Sequence, residues 1–354
     1  FGRQLLSAGN CQVLLASSLR EETSSSDTWD LYVEAALLKH YRVGRLDEHD
    51  VDLAARRREF QIAARKSAAI GESICALAPD RVMMSHGFYC TWGPAREILC
   101  DAGIPVVTYA EGTKKETIRF NWHSSADCWD VSREWDRVKD TPLTNEQSKQ
   151  LEDYLQSRRA HSRDSLKYNF GEEEPVARSR RRLSLDDGKL TFVLFTNVLW
   201  DAASAQREIV FNDSIDWVMQ TIQWFVDHPE KQLVIKIHPA EVVIGTNQPF
   251  GDLIERQFPE LPTNVKVIRP QEEVNSWSIM QVGDLGLVHT STVGLELPLM
   301  GIPCAVVSQT HYRERGFTID VGCKKEYFDL LESFSPGEVD CERLKVLSRR
   351  YSYL

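Results

Sequence analysis

An α/β fold built from two Rossmann-like domains facing a cleft is what this sequence predicts. Three observations predict it. The chain has 354 residues, a length that favours two domains of ordinary size. Short apolar runs alternate with amphipathic stretches, the pattern of strands buried on both faces of a parallel sheet. A charged stretch poor in aliphatic residues then interrupts that alternation, and the alternation restarts beyond it.

In the first half, residues 12–16, 81–84 and 105–109 read as buried strands, with helices expected over 28–40, 51–76 and 93–102. The 51–76 stretch is rich in Ala, Arg, Lys and Glu, all strong helix formers. The stretch 157–189 carries Ser157-Arg158-Arg159, the acidic Glu172-Glu173-Glu174, Pro175 and the basic run Arg178 to Arg182. That composition reads as a linker or surface excursion. The expected domains are therefore 1–156 on the acceptor side, a charged linker over 157–189, and 190–354 on the nucleotide side. In the second half, strands are expected at 190–195, 232–237, 265–268, 284–288 and 303–307. Helices are expected between them at 214–227, 250–258, 275–282 and 292–300, which makes a doubly wound sheet.

Composition narrows the function. A chain that is 42% hydrophobic and 27% charged is a folded globular one rather than a disordered one. The net charge of −10 argues against nucleic acid as a partner, because such binding needs an excess of Lys and Arg. The eight cysteines contain no C-x-x-C pair, so free thiols in a reducing cytosol are expected rather than a zinc site or a disulfide scaffold. No stretch approaches the ~20 apolar residues of a membrane span. A cytoplasmic protein, with peripheral association at the inner membrane, is the expectation. The chain begins at Phe1, so it is expected to be part of a longer, multidomain protein.

In an open parallel sheet, ligands bind beyond the carboxyl ends of the strands. Three tips in the second half carry suitable chemistry. His238-Pro239-Ala240-Glu241 follows QLVIKI, and the proline holds the residue before it extended, with the imidazole placed to donate to a phosphate oxygen. His289 to Glu296 follows DLGLV. Ser291 and Thr292 stand where an N-cap belongs, Gly294 allows close approach or packing, and Glu296 lies within reach of a ribose hydroxyl. Gln309 to Thr318 follows PCAVV, and its His311 and Arg313 offer anion or sugar contacts. In the first half, Ser85-His86-Gly87 and Tyr109-Ala110-Glu111-Gly112 occupy strand tips. Glu111 is a natural general base for an incoming hydroxyl, with His86, Lys114 and Lys115 as acceptor-side companions. Each also has a plainer reading, as strand-end cap, capping box, exposed loop or local ion pair.

The stretches QLVIKIHPAE and HTSTVGLELPLMGIPCAVVSQTHYRERGFT resemble the bacterial capsule polysaccharide biosynthesis and export family, which includes the retaining β-Kdo transferases that use CMP-Kdo. SHGFYCTWGPAREILCDAGIPVVTYAEGTKKETIRF and FTNVLWDAA resemble it more loosely. The likeness spans residues 81–320, with 156–189 unmatched. It implies a GT-B fold and a glycosyltransferase of capsule or surface polysaccharide synthesis. The partners it implies are a nucleotide-sugar donor and a glycan or glycolipid acceptor. It further implies His238 of the His-Pro motif on the donor phosphate, Ser291 and Thr292 holding phosphate, Glu296 on the ribose and Glu111 as the catalytic acid. Where the family has two acids before a glycine, this chain has Ala110-Glu111-Gly112. No cofactor and no metal are expected, since GT-B enzymes usually stabilise the leaving phosphate with helix dipoles and side chains. A teichoic-acid-type polyol-phosphate transferase using a CDP-alcohol, a nucleotide-sugar epimerase, and a non-catalytic glycan-binding domain of a capsule assembly protein stay open.

Overall fold

The computed structural model describes residues 26–112, 114–160, 171–201 and 207–354. The strand expected at 12–16 lies outside them. The described residues divide into two compact units, one holding 26–40, 45–111 and 118–128, the other holding 41–44, 112–117 and 129–354. The α/β class expected from the alternating pattern stands.

Unit 1 packs α1 (Asp30–Tyr41), α2 (Leu53–Cys75) and α3 (Tyr89–Asp101) with a small sheet. Its strands run β1 (Val82–Ser85), β2 (Val106–Glu111) and β3 (Ile118–Trp122) in that order, β1 parallel to β2 and β3 antiparallel to it. Met84, Leu99 and Val106 centre its core. The buried strand expected at 81–84 is only half so, because Met83 is 60% exposed while Met84 on the other face is covered. Glu111 is the last residue of β2, opposite Ile118 in the β2–β3 hairpin, rather than in a loop beyond the strand.

Unit 2 begins well before the expected boundary. α4 (Ser132–Val138) buries Trp135 against Phe317 and Tyr351, edge to face. α5 (Asn145–Arg159) starts at a full capping box, with Thr144 accepting from the Gln147 N–H and Gln147 answering on the Thr144 N–H. The stretch expected to be a linker includes a helix, α6 (Val176–Arg182), fastened to this unit. Arg180 donates to Asp187, Thr191 and the Val282 carbonyl, and Arg182 donates to Glu174. Arg178, Arg181 and Arg182 stay exposed, as their charge suggests, while Arg180 is half-buried because its guanidinium finds these acceptors.

The main sheet is parallel throughout. Its strands are β4 (Thr191–Phe195), β5 (Gln232–Lys236), β6 (Val265–Ile268), β7 (Leu285–Val288), β8 (Cys304–Val306) and β9 (Ile319–Asp320), ordered β6-β5-β4-β7-β8-β9. Renumbered from β4, this is the 3-2-1-4-5-6 order of a dinucleotide-fold sheet. Alternate residues of the continuous apolar runs serve the two faces. Phe192, Leu194, Leu233, Ile235, Leu285 and Leu287 meet α7 (Ser214–Asp227), α9 (Phe250–Gln257) and α12 (Lys324–Ser333). Val193, Phe195, Val234, Val288 and Val306 meet α10 (Ser276–Val282), α11 (Val293–Leu299) and α13 (Cys341–Tyr353), together with Trp135. A short helix, α8 (Ala240–Val243), follows β5.

The thiols of the described cysteines are free: Cys90 and Cys304 are buried, and Cys323 is exposed. No described helix is long and apolar enough to cross a membrane.

Candidate functional site

The order of a doubly wound sheet reverses between β4 and β7, and the crevice beyond the carboxyl ends there is where such sheets take ligands. In unit 2 three strand tips are tied together at this point. The Thr196 N–H donates to the Lys236 carbonyl (3.2 Å), continuing the β4–β5 ladder by one residue. The Thr196 hydroxyl accepts from the His238 N–H (2.9 Å), and the Asn197 side-chain oxygen accepts from the Thr290 N–H (3.2 Å). The tips of β5 and β7 are thus both registered on the tip of β4.

At the β5 tip, Nδ1 of His238 accepts the Ala240 N–H (3.1 Å). That bond fixes the tautomer with the ring proton on Nε2. Burial, and secondly the Lys236 ammonium, push the His238 pKa down from 6.5 to about 4. The ring is therefore neutral at physiological pH and is a donor through Nε2. Pro239 sits at the N-cap of α8. Glu241 turns away from this role: its carboxylate is 6% exposed and accepts the Phe250 N–H at the start of α9 (3.3 Å to each oxygen). Burial raises its pKa to about 7, the Phe250 N–H opposing and Asp252 adding to the rise.

At the β7 tip, the two hydroxyl residues part company. Ser291 is buried, its hydroxyl accepts the Val293 N–H (3.3 Å), and its carbonyl accepts the Tyr312 hydroxyl (2.5 Å). Thr292 is already helical (φ −62°) and makes no side-chain cap, so the cap expected of the pair belongs to Ser291. Gly294 is a packing glycine. A Cβ there would lie 2.4 Å from the Tyr312 hydroxyl oxygen and 2.7 Å from its ring. Glu296 forms an ion pair with Arg158 of α5 (2.7 Å).

The third tip differs more. Arg313 is 7% exposed and donates to the carbonyls of Val306 (3.0 Å) and Val321 (2.8 Å), which makes it a brace between β8 and the chain after β9 rather than an anion contact. Its position in a polar loop hid this, because loop composition does not show which carbonyls a side chain will find. His311 lies against Trp129 and stacks on Tyr351, its Nδ1 2.8 Å from the Tyr351 hydroxyl. Burial, then Arg207 and Arg315, lower its pKa to about 4.

In unit 1, His86 and Glu111 stand at the carboxyl ends of neighbouring parallel strands, and both are exposed. His86 is held in the left-handed region (φ 53°) by bonds from its N–H to Tyr109 and from Ala126 to its carbonyl. Lys114 and Lys115 are exposed in the β2–β3 connection.

Three residues at the unit 2 site were given no role from the sequence, Thr196, Asn197 and Arg158, while His289 was named only as the first residue beyond DLGLV. The first two follow a legible strand, and the rule of inspecting every strand tip would have found them. His289, 2% exposed with its Nδ1 unpartnered, directly follows β7. Arg158 carried no signal beyond its charge. Among the described residues no group of three His, Cys, Asp or Glu could hold a metal ion.

No protein-family model matches this sequence, and no curated protein matches it. Among solved structures the chain is similar to Thermosulfurimonas dismutans KpsC, beta Kdo 2,4 transferase, at 18% identity, over 77% of this chain and 78% of that one, with a TM-score of 0.48. It is also similar to the beta Kdo 2,7 transferase of the same KpsC, at 13% identity, over 78% and 79%, with a TM-score of 0.44. A UDP-GlcNAc 2-epimerase from Neisseria meningitidis bound to UDP-GlcNAc is similar at 13% identity, over 82% and 76%, with a TM-score of 0.33.

Proposed function

We propose that unit 2 binds a nucleotide sugar at the tips of β4, β5 and β7, and that the protein is a GT-B-type glycosyltransferase of surface polysaccharide synthesis. One observation carries the reading: in the 3-2-1-4-5-6 strand order, Asn197 and Ser291 lie beyond β4 and β7 at the reversal point, His238 lies beyond the neighbouring β5, and the three tips are hydrogen-bonded together. A neutral imidazole with its proton on Nε2 is a donor suited to a phosphate oxygen, and its charge state does not change near neutral pH. Preorganised donors at the leaving phosphate stabilise the charge that develops there. Glu296, positioned by Arg158, takes the ribose. Glu111 on unit 1 takes the acceptor proton, and the acceptor is a glycan or glycolipid. The resemblance of the His-Pro and Ser-Thr stretches favours CMP-Kdo as donor.

A thermal-shift panel of CMP, UDP, GDP and CDP tests the binding step, since a ligand held only by the native state raises the transition. CMP is expected to give the largest shift. His238→Ala is expected to lose that shift and sugar transfer together. His238→Asn, which keeps an acceptor for the Ala240 N–H, separates lost ligand contact from a loosened strand tip. Full nucleotide response and turnover in both variants would overturn the assignment. Nucleotide release that is independent of any acceptor would point to an epimerase instead.

A further inference from the structure

The last residue of β5 is a lysine in an otherwise uncharged strand, QLVIK, and Lys236 is 3% exposed. Lysines are almost never so buried without a partner. Lys231, the other deeply covered lysine among the described residues at 9% exposed, follows the rule, donating to the carbonyls of Leu331 (2.9 Å) and Glu332 (2.6 Å). Lys236 does not. No described side chain forms an ion pair or hydrogen bond with its ammonium. Two charges act on it, Glu272 favouring its ammonium and Arg182 disfavouring it, and neither forms an ion pair with it. Glu272 accepts the Arg269 N–H (2.7 Å), while Arg182 donates to Glu174 and to the Glu273 carbonyl.

Its direction follows from the strand. Val234, two residues earlier, belongs to the core on the α10 and α11 face, so Lys236 rises on that face too. Two residues further on, the His238 ring feels its charge. Burial lowers the Lys236 pKa to about 8, with Glu272 opposing and Arg182 adding to the fall, so the ammonium is mostly charged at neutral pH. A buried charge that no ion pair or hydrogen bond holds destabilises the fold around it, and Glu272 offsets this only through its field. An anion arriving at the strand tip would supply the direct partner that no described side chain supplies.

We propose that Lys236 is the fixed positive charge of an anion subsite at the tip of β5, which takes a phosphate of the nucleotide beside the neutral donor His238. The proposal rests on the nucleotide reading above and deepens it. It assigns electrostatic attraction to Lys236 and a directional hydrogen bond to His238.

Two variants, Lys236→Met and Lys236→Gln, test it against CMP and against inorganic phosphate, with thermal shift and calorimetric affinity as readouts. Without ligand, Lys236→Met is expected to melt at or above the wild-type temperature, because it replaces an uncompensated charge by a side chain of similar length. In both variants affinity is expected to fall about ten- to a hundredfold, as for the loss of a charged hydrogen bond. CMP affinity within threefold of wild type in both variants would overturn the subsite and leave the nucleotide reading standing. Wild-type stabilisation by phosphate but not by CMP, lost in both variants, would keep the subsite and overturn the nucleotide reading. A wild-type protein indifferent to both probes, or a ligand-free melting temperature several degrees lower in both variants, would overturn the subsite.

Discussion

Replacing His289 by leucine should flatten the acid limb of this protein's stability. The residue directly follows β7, is 2% exposed, and has an Nδ1 with no hydrogen-bond partner. Burial lowers its pKa from 6.5 to about 4, with the Asp213 carboxylate working in the opposite direction. In the unfolded chain the same imidazole titrates near 6.5. Between these two values the unfolded state binds more protons than the native one, so stability rises with pH across that window. The contribution is complete above pH 6.5 and is lost as the pH falls through about 4. At about 1.36 kcal/mol per pH unit, the span from 6.5 to about 4 is worth about 3 kcal/mol. His289→Leu removes the titration and the orphaned nitrogen together. Urea unfolding followed by tryptophan fluorescence at several pH values between 4 and 7.5 reads the difference between the two proteins. The variant is expected to match or exceed the wild type at pH 7 and to exceed it by about 3 kcal/mol at pH 4. Parallel pH curves for the two proteins would refute the reasoning, because they would mean that His289 finds a proton as readily when folded as when unfolded.

Two further outcomes follow from packing. Gly294→Ala places a Cβ 2.4 Å from the hydroxyl oxygen of a Tyr312 that is 1% exposed and bonded to the Ser291 carbonyl, so it should destabilise by about 2 kcal/mol and weaken nucleotide binding with it, read by urea midpoint and CMP titration. Trp135→Ala should destabilise by about 3–5 kcal/mol, because that indole is 4% exposed and lies in the core with Phe317 and Tyr351; a loss under about 1 kcal/mol would mean that α4 is not part of the unit 2 core.

The six-stranded sheet of unit 2 was legible in the sequence almost strand by strand. Runs such as LTFVLF and QLVIKI read as strands buried on both faces, and their alternation with helical stretches points to a parallel sheet covered by helices on each side. The helix over 214–227 was read to the residue, since Asp213 caps its start and its apolar stripe is wide. The position of His238 at a strand tip followed from the same local signals. What the sequence could not settle depended on partners distant in the chain. Whether Arg313 meets a ligand or two carbonyls, whether Glu296 is paired with an arginine 138 residues away, and whether the charged stretch around Arg180 is linker or helix are decided by what lies opposite in space. The division into units at Cys128 rather than near residue 157 is of the same kind: Trp135 looked like any aromatic until the fold brought Phe317 and Tyr351 against it. Periodicity and capping are local and survive in one dimension. Hydrogen-bond satisfaction and charge compensation are not local, and Lys236 shows the difference: the sequence displays a lone lysine in an uncharged strand, and only the tertiary structure shows that no described side chain pairs with its charge.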